Sequence, residues 1–509
     1  MNGQKEKIAV IGTGAAGLGV LAGLLSKKTD FNITVFDIGK ETFKADLPEK
    51  PTTAEINFFY DQIYQTIRSE NSFKFPPPKT HLGKQIPRQP VGEKLSIFKS
   101  ESFGGLINYW GATMLPFTER EMAGWPITPA DLRPYYQKIS VLVGLSARPD
   151  NLNEYFSNDF ASRPPAKPLP ELAKLNEIIN QQEEGGNSQF KIISGWNRCG
   201  LETRDGEPNS CIYCGECMAG CFRNGVFNGQ KIIKRYLADP RVEYQKGKVK
   251  RVGQKGNLWE MEMDDGRQMG EFDKVFLSAG CPASTEIVLR SFNIKEELIM
   301  ADNAVYVFPI FYFGRKLSKT NLKSYLSLAN LLVGCLPKDS QEHFTQIMVY
   351  PNFDYLWRYN IPPLLWEIIR PLVVFSRAHI FWGRMFLHSD YSQAYSVKLA
   401  DDQLVMAKQK EAGYADRLKV MMSALRRAVN HRGFYLPPVK PILQKVNSHY
   451  TSTLPFNNRI LPVSKDGEIA PGFYLCDSAT FPASPAMNPG FTIMANACRI
   501  ADRAVGDLA

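Results

Sequence analysis

The 509 residues hold no apolar run able to cross a bilayer, no internal repeat and no long low-complexity tract. The charge-free stretch Ile8–Leu25 follows Lys5 and Lys7, imitating a secretion signal or a short membrane span. It carries Gly12, Gly14, Gly17, Gly19 and Gly23, and runs into Ser26-Lys27-Lys28 instead of a small-residue cleavage site, which favours a folded strand–turn–helix. Ile361–Phe375 is broken by Pro362, Pro363, Glu367, Arg370 and Pro371 and cannot span; a core helix is expected there, against a lipophilic channel wall or a peripheral membrane contact. Strong charge of one sign is also missing. Lys+Arg number 61 and Asp+Glu 51, a net +10 that suits anionic partners or substrates without marking a nucleic-acid binder. Histidine is scarce, at six, whereas 38 Gly and 34 Pro exclude a helical bundle or coiled coil.

The length allows about three domain-sized units. The nine cysteines do not form a secreted disulfide framework, because four crowd into residues 211–221; a reducing, cytoplasmic setting is the default expectation. Lys7–Gly12 reads as a strand, a Gly-rich turn and an apolar helix follow to about Leu25, and Asn32–Phe36 reads as a second strand. Pro76–Pro78 and Arg163–Pro170 mark loops. Val242–Met263 suggests a β-meander, Lys274–Gly280 a buried strand ending on a turn, and a helix is expected from about Ser284. A helix is also expected at Ala415–Asn430, and Gly472–Ala504 returns to strand–loop–helix. Nucleotide-type pieces at both ends and in the middle imply one discontinuous domain with another inserted.

Gly12-Thr13-Gly14-Ala15-Ala16-Gly17 lies between the first strand and its helix. Gly12 permits the tight turn, Gly14 and Ala16 sit where the backbone approaches a pyrophosphate, and Gly17 lets helix and sheet pack closely; the helix N-terminus offers unpaired N–H groups to phosphates. Asp37, about 20 residues on, can accept hydrogen bonds from a ribose. A tight structural turn is the plain alternative, and the motif alone does not separate FAD from NAD.

Three further segments resemble the glucose-methanol-choline (GMC) family of flavin oxidoreductases: Ser102-Phe-Gly-Gly105-Leu-Ile-Asn-Tyr109-Trp110-Gly111-Ala112, continuing into Gly124–Tyr136; Phe276–Gly280; and Tyr474–Ser478 with Pro482, Asn488-Pro489-Gly-Phe-Thr492 and Ala495. The resemblance is thin over 301–440. It implies an α/β protein with a Rossmann-like FAD-binding domain over 1–300, including a flavin lid at about 100–115 and a Cys-rich loop at 199–229. An α+β substrate domain would occupy 301–444, and 445–509 would return to the FAD domain. It further implies cofactor contacts from Gly105, Trp110, Gly111, Val249, Gly280, Asp477, Pro489 and Thr492, Asp477 having a turn cap as its alternative role. Tyr109 stands where some relatives attach FAD through His, so FAD is expected to be held non-covalently.

The resemblance makes His449 and Asn488 the proton-handling pair. A neutral imidazole takes the hydroxyl proton as hydride leaves the carbon, and the amide holds the same oxygen. His449 departs from the family pattern in lacking the Gly usual two or three residues later. His81, His343, His379, His388 and His431 lack a comparable motif and are expected to be structural or superficial. Cys211, Cys214, Cys217 and Cys221 have the C-x2-C-x2-C-x3-C spacing of an iron–sulfur ligand run. The segment also resembles the cysteine loop of FAD-dependent sugar dehydrogenases, where three such positions hold a three-iron cluster, and Cys214 makes four irons possible. A zinc knuckle and free thiols are the alternatives, and Cys199 is a spare ligand; Cys281, Cys335, Cys476 and Cys498 read as buried thiols. The expectation is a dehydrogenase oxidising a sugar-like or other alcohol, passing electrons through an iron–sulfur cluster to a one-electron acceptor protein. An oxygen-reducing oxidase with structural cysteines and a zinc-bearing nucleotide-binding scaffold are the alternatives.

Overall fold

The structure is a computed structural model describing residues 5–39, 51–69, 88–90, 96–156, 159–181, 189–317, 324–338, 342–358, 361–409, 415–444, 448–456 and 458–506. His81 and Pro76–Pro78 lie outside the described residues.

The first strand, Lys7–Ile11, is apolar at every position after Lys7 because both its faces are covered. Ile8 and Val10 pack with Leu18, Val20 and Leu21 of the helix Ala15–Leu24, whereas Ala9 and Ile11 pack with Val252 and Met261 on the other face. Full burial of each such side chain contributes about 1.5–3 kcal/mol. The strand sits inside a six-stranded sheet of order 468–470, 473–475, 274–277, 7–11, 32–37, 242–246, parallel except for the first pair. Pieces from the start, middle and end of the chain thus share one sheet.

The expected meander is corrected at its first strand. Val242–Lys246 joins the parallel sheet beside Asn32–Asp37, and the antiparallel meander is built from Val249–Lys255, Leu258–Met263 and Gln268–Phe272. The helix expected from Ser284 begins earlier, at Cys281, where Pro282 occupies the first turn.

A second, antiparallel sheet of seven strands orders 434–435, 305–312, 380–386, 345–351, 331–337 and 190–196, with 442–443 also pairing with 305–312. Phe190–Trp196 comes from the stretch expected to belong wholly to the nucleotide part, so the boundary at 300 does not hold for the sheets. The helix Pro363–Ser376 is not a core helix. Trp366 and Val373 are buried, but Leu364, Ile368, Leu372 and Phe375 are exposed on its outer face. No helix among the described residues is long and apolar enough to cross a membrane.

Candidate active site

The two sheets meet around a cavity of about 330 Å³. Its wall includes Gly12, Gly14, Ala16, Asp37, Gly105, Trp110, Gly111, Val249, Gly280, Asp477 and Pro489, together with His449 and Asn488. Residues expected from distant parts of the chain are therefore brought together.

One end is built from backbone. Gly12 has φ +98°, and a Cβ there would lie 2.6 Å from Ser278 O. A Cβ on Gly17 would lie 1.9 Å from Gly12 O, so Gly17 acts in packing the turn and does not line the cavity. The lid folds onto this turn: a Cβ on Gly105 would meet Gly14 Cα at 2.9 Å, and Gly104 N donates to Thr13 Oγ1 at 2.9 Å. Thr13 in turn donates from N and Oγ1 to Asp37 Oδ2 at 2.8 and 2.7 Å, and burial raises the Asp37 carboxyl above its usual range. Asp477 has both its expected place on the wall and its alternative role as a cap, since its carboxylate accepts from Gly280 N at 2.9 Å and Ala479 N at 3.0 Å. Thr492 is corrected. It does not line the cavity, because its hydroxyl turns to the Tyr136 hydroxyl at 2.8 Å; Gly490 and Ile493 of the same helix take the wall. Tyr109 lines the cavity with its hydroxyl against Ser102 Oγ.

The other end is built from side chains. His449 Nδ1 meets Asn303 Oδ1 at 2.9 Å. Asn303 Nδ2 donates to the carbonyls of Leu387, Ser484 and Pro485 at 2.7, 3.1 and 2.9 Å, so its amide oxygen must face the imidazole. His449 consequently carries its proton on Nδ1, and Nε2 presents a lone pair. Gln346 Nε2 donates to Asn488 Oδ1 at 2.9 Å, and Asn488 Nδ2 lies 3.5 Å from His449 Nε2. An acceptor and a donor converge, the pairing needed to remove a hydroxyl proton while holding its oxygen. Burial, helped by the Arg384 charge, lowers His449 to about 3, so the imidazole is neutral at physiological pH. The glycine missing after His449 is replaced by Ser452 at φ +72°, a non-glycine residue in the left-handed region.

Asn303, Gln346 and Arg384 were not anticipated. Gln346 and Arg384 left a signal, a polar residue inside the apolar strands Thr345–Pro351 and Ile380–Phe386; Asn303 left none.

Cys281, Cys335, Cys476 and Cys498 are buried free thiols, as expected. Cys211, Cys214, Cys217 and Cys221 are also free, and no three cysteine sulfurs among the described residues lie within 4.8 Å of one another. A closed tetrahedral zinc site, with sulfurs roughly 3.8 Å apart, is therefore not preformed. The loop stands beside the cavity: Met218, next to Cys217, lines it. Burial, and secondarily the neighbouring thiols Cys217 and Cys221, push Cys211 and Cys214 up.

None of His343, His379, His388 and His431 lines the cavity. Ligand atoms of His343, His388 and Asp390 gather within 4.8 Å. The two rings are stacked with centroids 3.5 Å apart and 6° between planes, so their in-plane lone pairs run side by side and cannot both aim at one ion. His388 Nδ1 moreover accepts from Asp390 N at 3.2 Å as a cap.

A parallel sheet with a glycine turn, joined by a second sheet across a shared cavity, defines a two-part α/β fold. No family model and no curated protein matches the chain. Solved structures do. The chain is similar to pyridoxine 4-oxidase from Mesorbium loti, at 14% identity and TM-score 0.60 over 98% of each chain. It is similar to a fungal aryl-alcohol oxidase, at 12% identity and TM-score 0.57 over 98% of this chain and 99% of the other. A third similar structure is an FAD-dependent oxidoreductase from Chaetomium thermophilum, at 11% identity and TM-score 0.57 over 98% of each. The fold is that of these proteins.

Proposed function

We propose that the protein is an FAD-dependent oxidoreductase of the GMC type that oxidises an alcohol CH–OH group. The observation that carries this reading is one continuous cavity, glycine-lined at one end and holding the His449–Asn488 pair at the other. The glycine turn fits a pyrophosphate because Gly12, Gly14 and Gly105 present bare backbone on the cavity wall, in a turn where a Cβ on Gly12 or Gly105 would strike neighbouring backbone. Gly12, Gly14, Ala16, Asp37, Gly105, Trp110, Gly111, Val249, Gly280, Asp477 and Pro489 would hold the cofactor. Bound there, a flavin supplies the hydride acceptor. His449 Nε2 takes the hydroxyl proton, Asn488 Nδ2 holds the oxygen, and Asn303 keeps Nε2 unprotonated. This pairing also speaks against a nucleotide-binding scaffold without catalysis.

His449→Ala should keep its flavin and reduce it at least roughly 100-fold more slowly under anaerobic mixing with substrate. Reduction at the wild-type rate would assign the base elsewhere. With Tyr109 tied to Ser102, the flavin is held without a covalent link, so acid precipitation should release it into the supernatant; retention on the washed pellet would refute this.

The finer reading is a dehydrogenase in which Cys211, Cys217 and Cys221, with Cys214, hold an iron–sulfur cluster. Its support is the ligand-run spacing and the place of Met218 on the cavity wall; the cysteines themselves show no cluster arrangement among the described residues. Such a cluster supplies single-electron transfer. Iron with matching acid-labile sulfide in anaerobically prepared protein supports it. Neither iron nor sulfide would leave the oxygen-reducing oxidase.

A further inference from the structure

The helix Pro363–Ser376 carries an apolar face that the flavin chemistry does not use. Leu364, Ile368, Leu372 and Phe375 recur at helical spacing and are 88%, 71%, 68% and 60% exposed, while Trp366 and Val373 anchor the opposite side. The charges of the helix, Glu367 and Arg370, fall off this stripe and lie 3.8 Å from each other, so the stripe itself is uncharged.

The apolar surface continues beyond the helix. The Phe375 ring lies 4.6 Å from His379, whose Nδ1 meets the Tyr312 carbonyl at 2.8 Å. The next residue, Phe313, is exposed, and its ring lies 6.3 Å from that of the exposed Tyr435. Cations gather at this edge. Arg315, Lys316 and Arg432 are all exposed, and a Cβ on Gly433 would stand 3.2 Å from Gly314 N, so the two basic turns are neighbours. None of the three is in an ion pair among the described residues. Glu171, close by, is buried and accepts from Leu317 N at 2.9 Å.

An exposed apolar patch of this kind marks a surface that is covered in use, and the charge beside it selects the cover. In a two-fold dimer the face would meet its own copy and set like cations against each other. An anionic bilayer surface supplies both halves of what is needed. Its acyl chains take the leucine, isoleucine and phenylalanine side chains, and its phosphates take the cations. The net charge of +10 favours approach to the same surface.

We propose that this face docks the protein on anionic phospholipid membranes, with the helix Pro363–Ser376 lying in the interface and Arg315, Lys316 and Arg432 meeting headgroup phosphates. Docking of this kind is independent of the alcohol-oxidising function and goes beyond it.

The full chain as purified is floated with vesicles of phosphatidylcholine alone and of phosphatidylcholine mixed with phosphatidylglycerol, at low and high salt. It should bind the phosphatidylglycerol vesicles at least roughly 10-fold more tightly than the neutral ones and lose most of that advantage at high salt. Ile368→Asn with Leu372→Asn should weaken binding at least roughly 10-fold. Arg315→Gln, Lys316→Gln and Arg432→Gln together should weaken it as much, on the anionic vesicles only. All five side chains are exposed, so flavin content and unfolding midpoint should stay at their wild-type values, and the charge variant serves alone if the apolar one misfolds. Failure to float with anionic vesicles, or flotation that both variants retain, would overturn the proposal. A dimer or protein complex that Ile368→Asn with Leu372→Asn dissolves, without any flotation, would give the face to a protein instead.

Discussion

The two ends of the cavity solve the same problem, holding a small molecule in a fixed pose, with different materials. The nucleotide end uses backbone brought close by missing side chains: Gly12, Gly17 and Gly105 leave the room, and Thr13 and Asp37 tie the turn. The substrate end uses side chains from separate strands and loops, each held by another: Asn303 orients His449, and Gln346 orients Asn488. A backbone site fails when something is added, a side-chain site when something is removed.

The first way to break this contrast is also the largest expected effect. Gly17→Ala puts a Cβ 1.9 Å from Gly12 O, so the helix must shift off the sheet. Flavin content should fall to near zero, with about 3 kcal/mol or more lost in denaturant unfolding. A flavin-loaded, stable variant would show that the turn is looser than its geometry. At the other end, Asn303→Leu removes the group that fixes the imidazole tautomer but adds nothing to the nucleotide end. Flavin should remain, and its reduction by substrate should slow by about 10- to 100-fold under stopped flow. Loss of flavin instead would mean that the two ends are not separable.

Titration sharpens the comparison further. His449 is lowered from 6.5 to about 3, first by burial and then by Arg384. In the unfolded chain it therefore gains its proton before the native state does. The stability that neutral His449 permits is full above pH 6.5 and is lost as pH falls from there toward 3. The ring is partly open to the cavity, so the loss is roughly 2 kcal/mol, below what the whole displacement would give. His449→Asn should flatten the slope of Tm between pH 6.5 and 4 relative to wild type; an unchanged slope would place the acid sensitivity elsewhere. The smallest expected effect is at Ser452, at φ +72°. Ser452→Gly relieves a left-handed residue but adds freedom to the unfolded chain, for a net gain of about 0.5–1 kcal/mol in unfolding free energy.

The same contrast explains what could be read in advance. Glycines, Asp37 and the Asn488-Pro489 segment are local patterns, and each meets the cavity from its own short stretch of chain. Asn303 and Gln346 act only through contacts between segments far apart in sequence; Asn303, in the connection between two strands, gives no local signal, and Gln346 only that of a polar residue inside an apolar strand. Thr492 shows the limit of a local pattern: its segment reaches the cavity, but helix rotation turns its hydroxyl toward Tyr136. The strand Val242–Lys246 shows another, since alternation alone does not tell a meander strand from the edge of a parallel sheet. The helix Pro363–Ser376 is apolar enough to suggest burial, yet only one side of it is covered.

The close packing of the helix Ala15–Leu24 on Gly490–Val505 sets a clock. Gly19 and Gly23 lie so near the carbonyls of Met494 and Cys498 that a Cβ on either would stand 2.3 or 2.7 Å away. The two partners of this seam are the first and last helices described, with almost the whole chain between them. At about 5–20 residues per second, the early helix emerges from the ribosome roughly 25–100 s before its partner exists. Through that interval the face it turns to Gly490–Val505 has no native cover, and the wall that Pro489, Gly490 and Ile493 give the cavity is missing. The cavity is thereby closed on this side only after Gly490–Val505 has been made and has docked on the early helix.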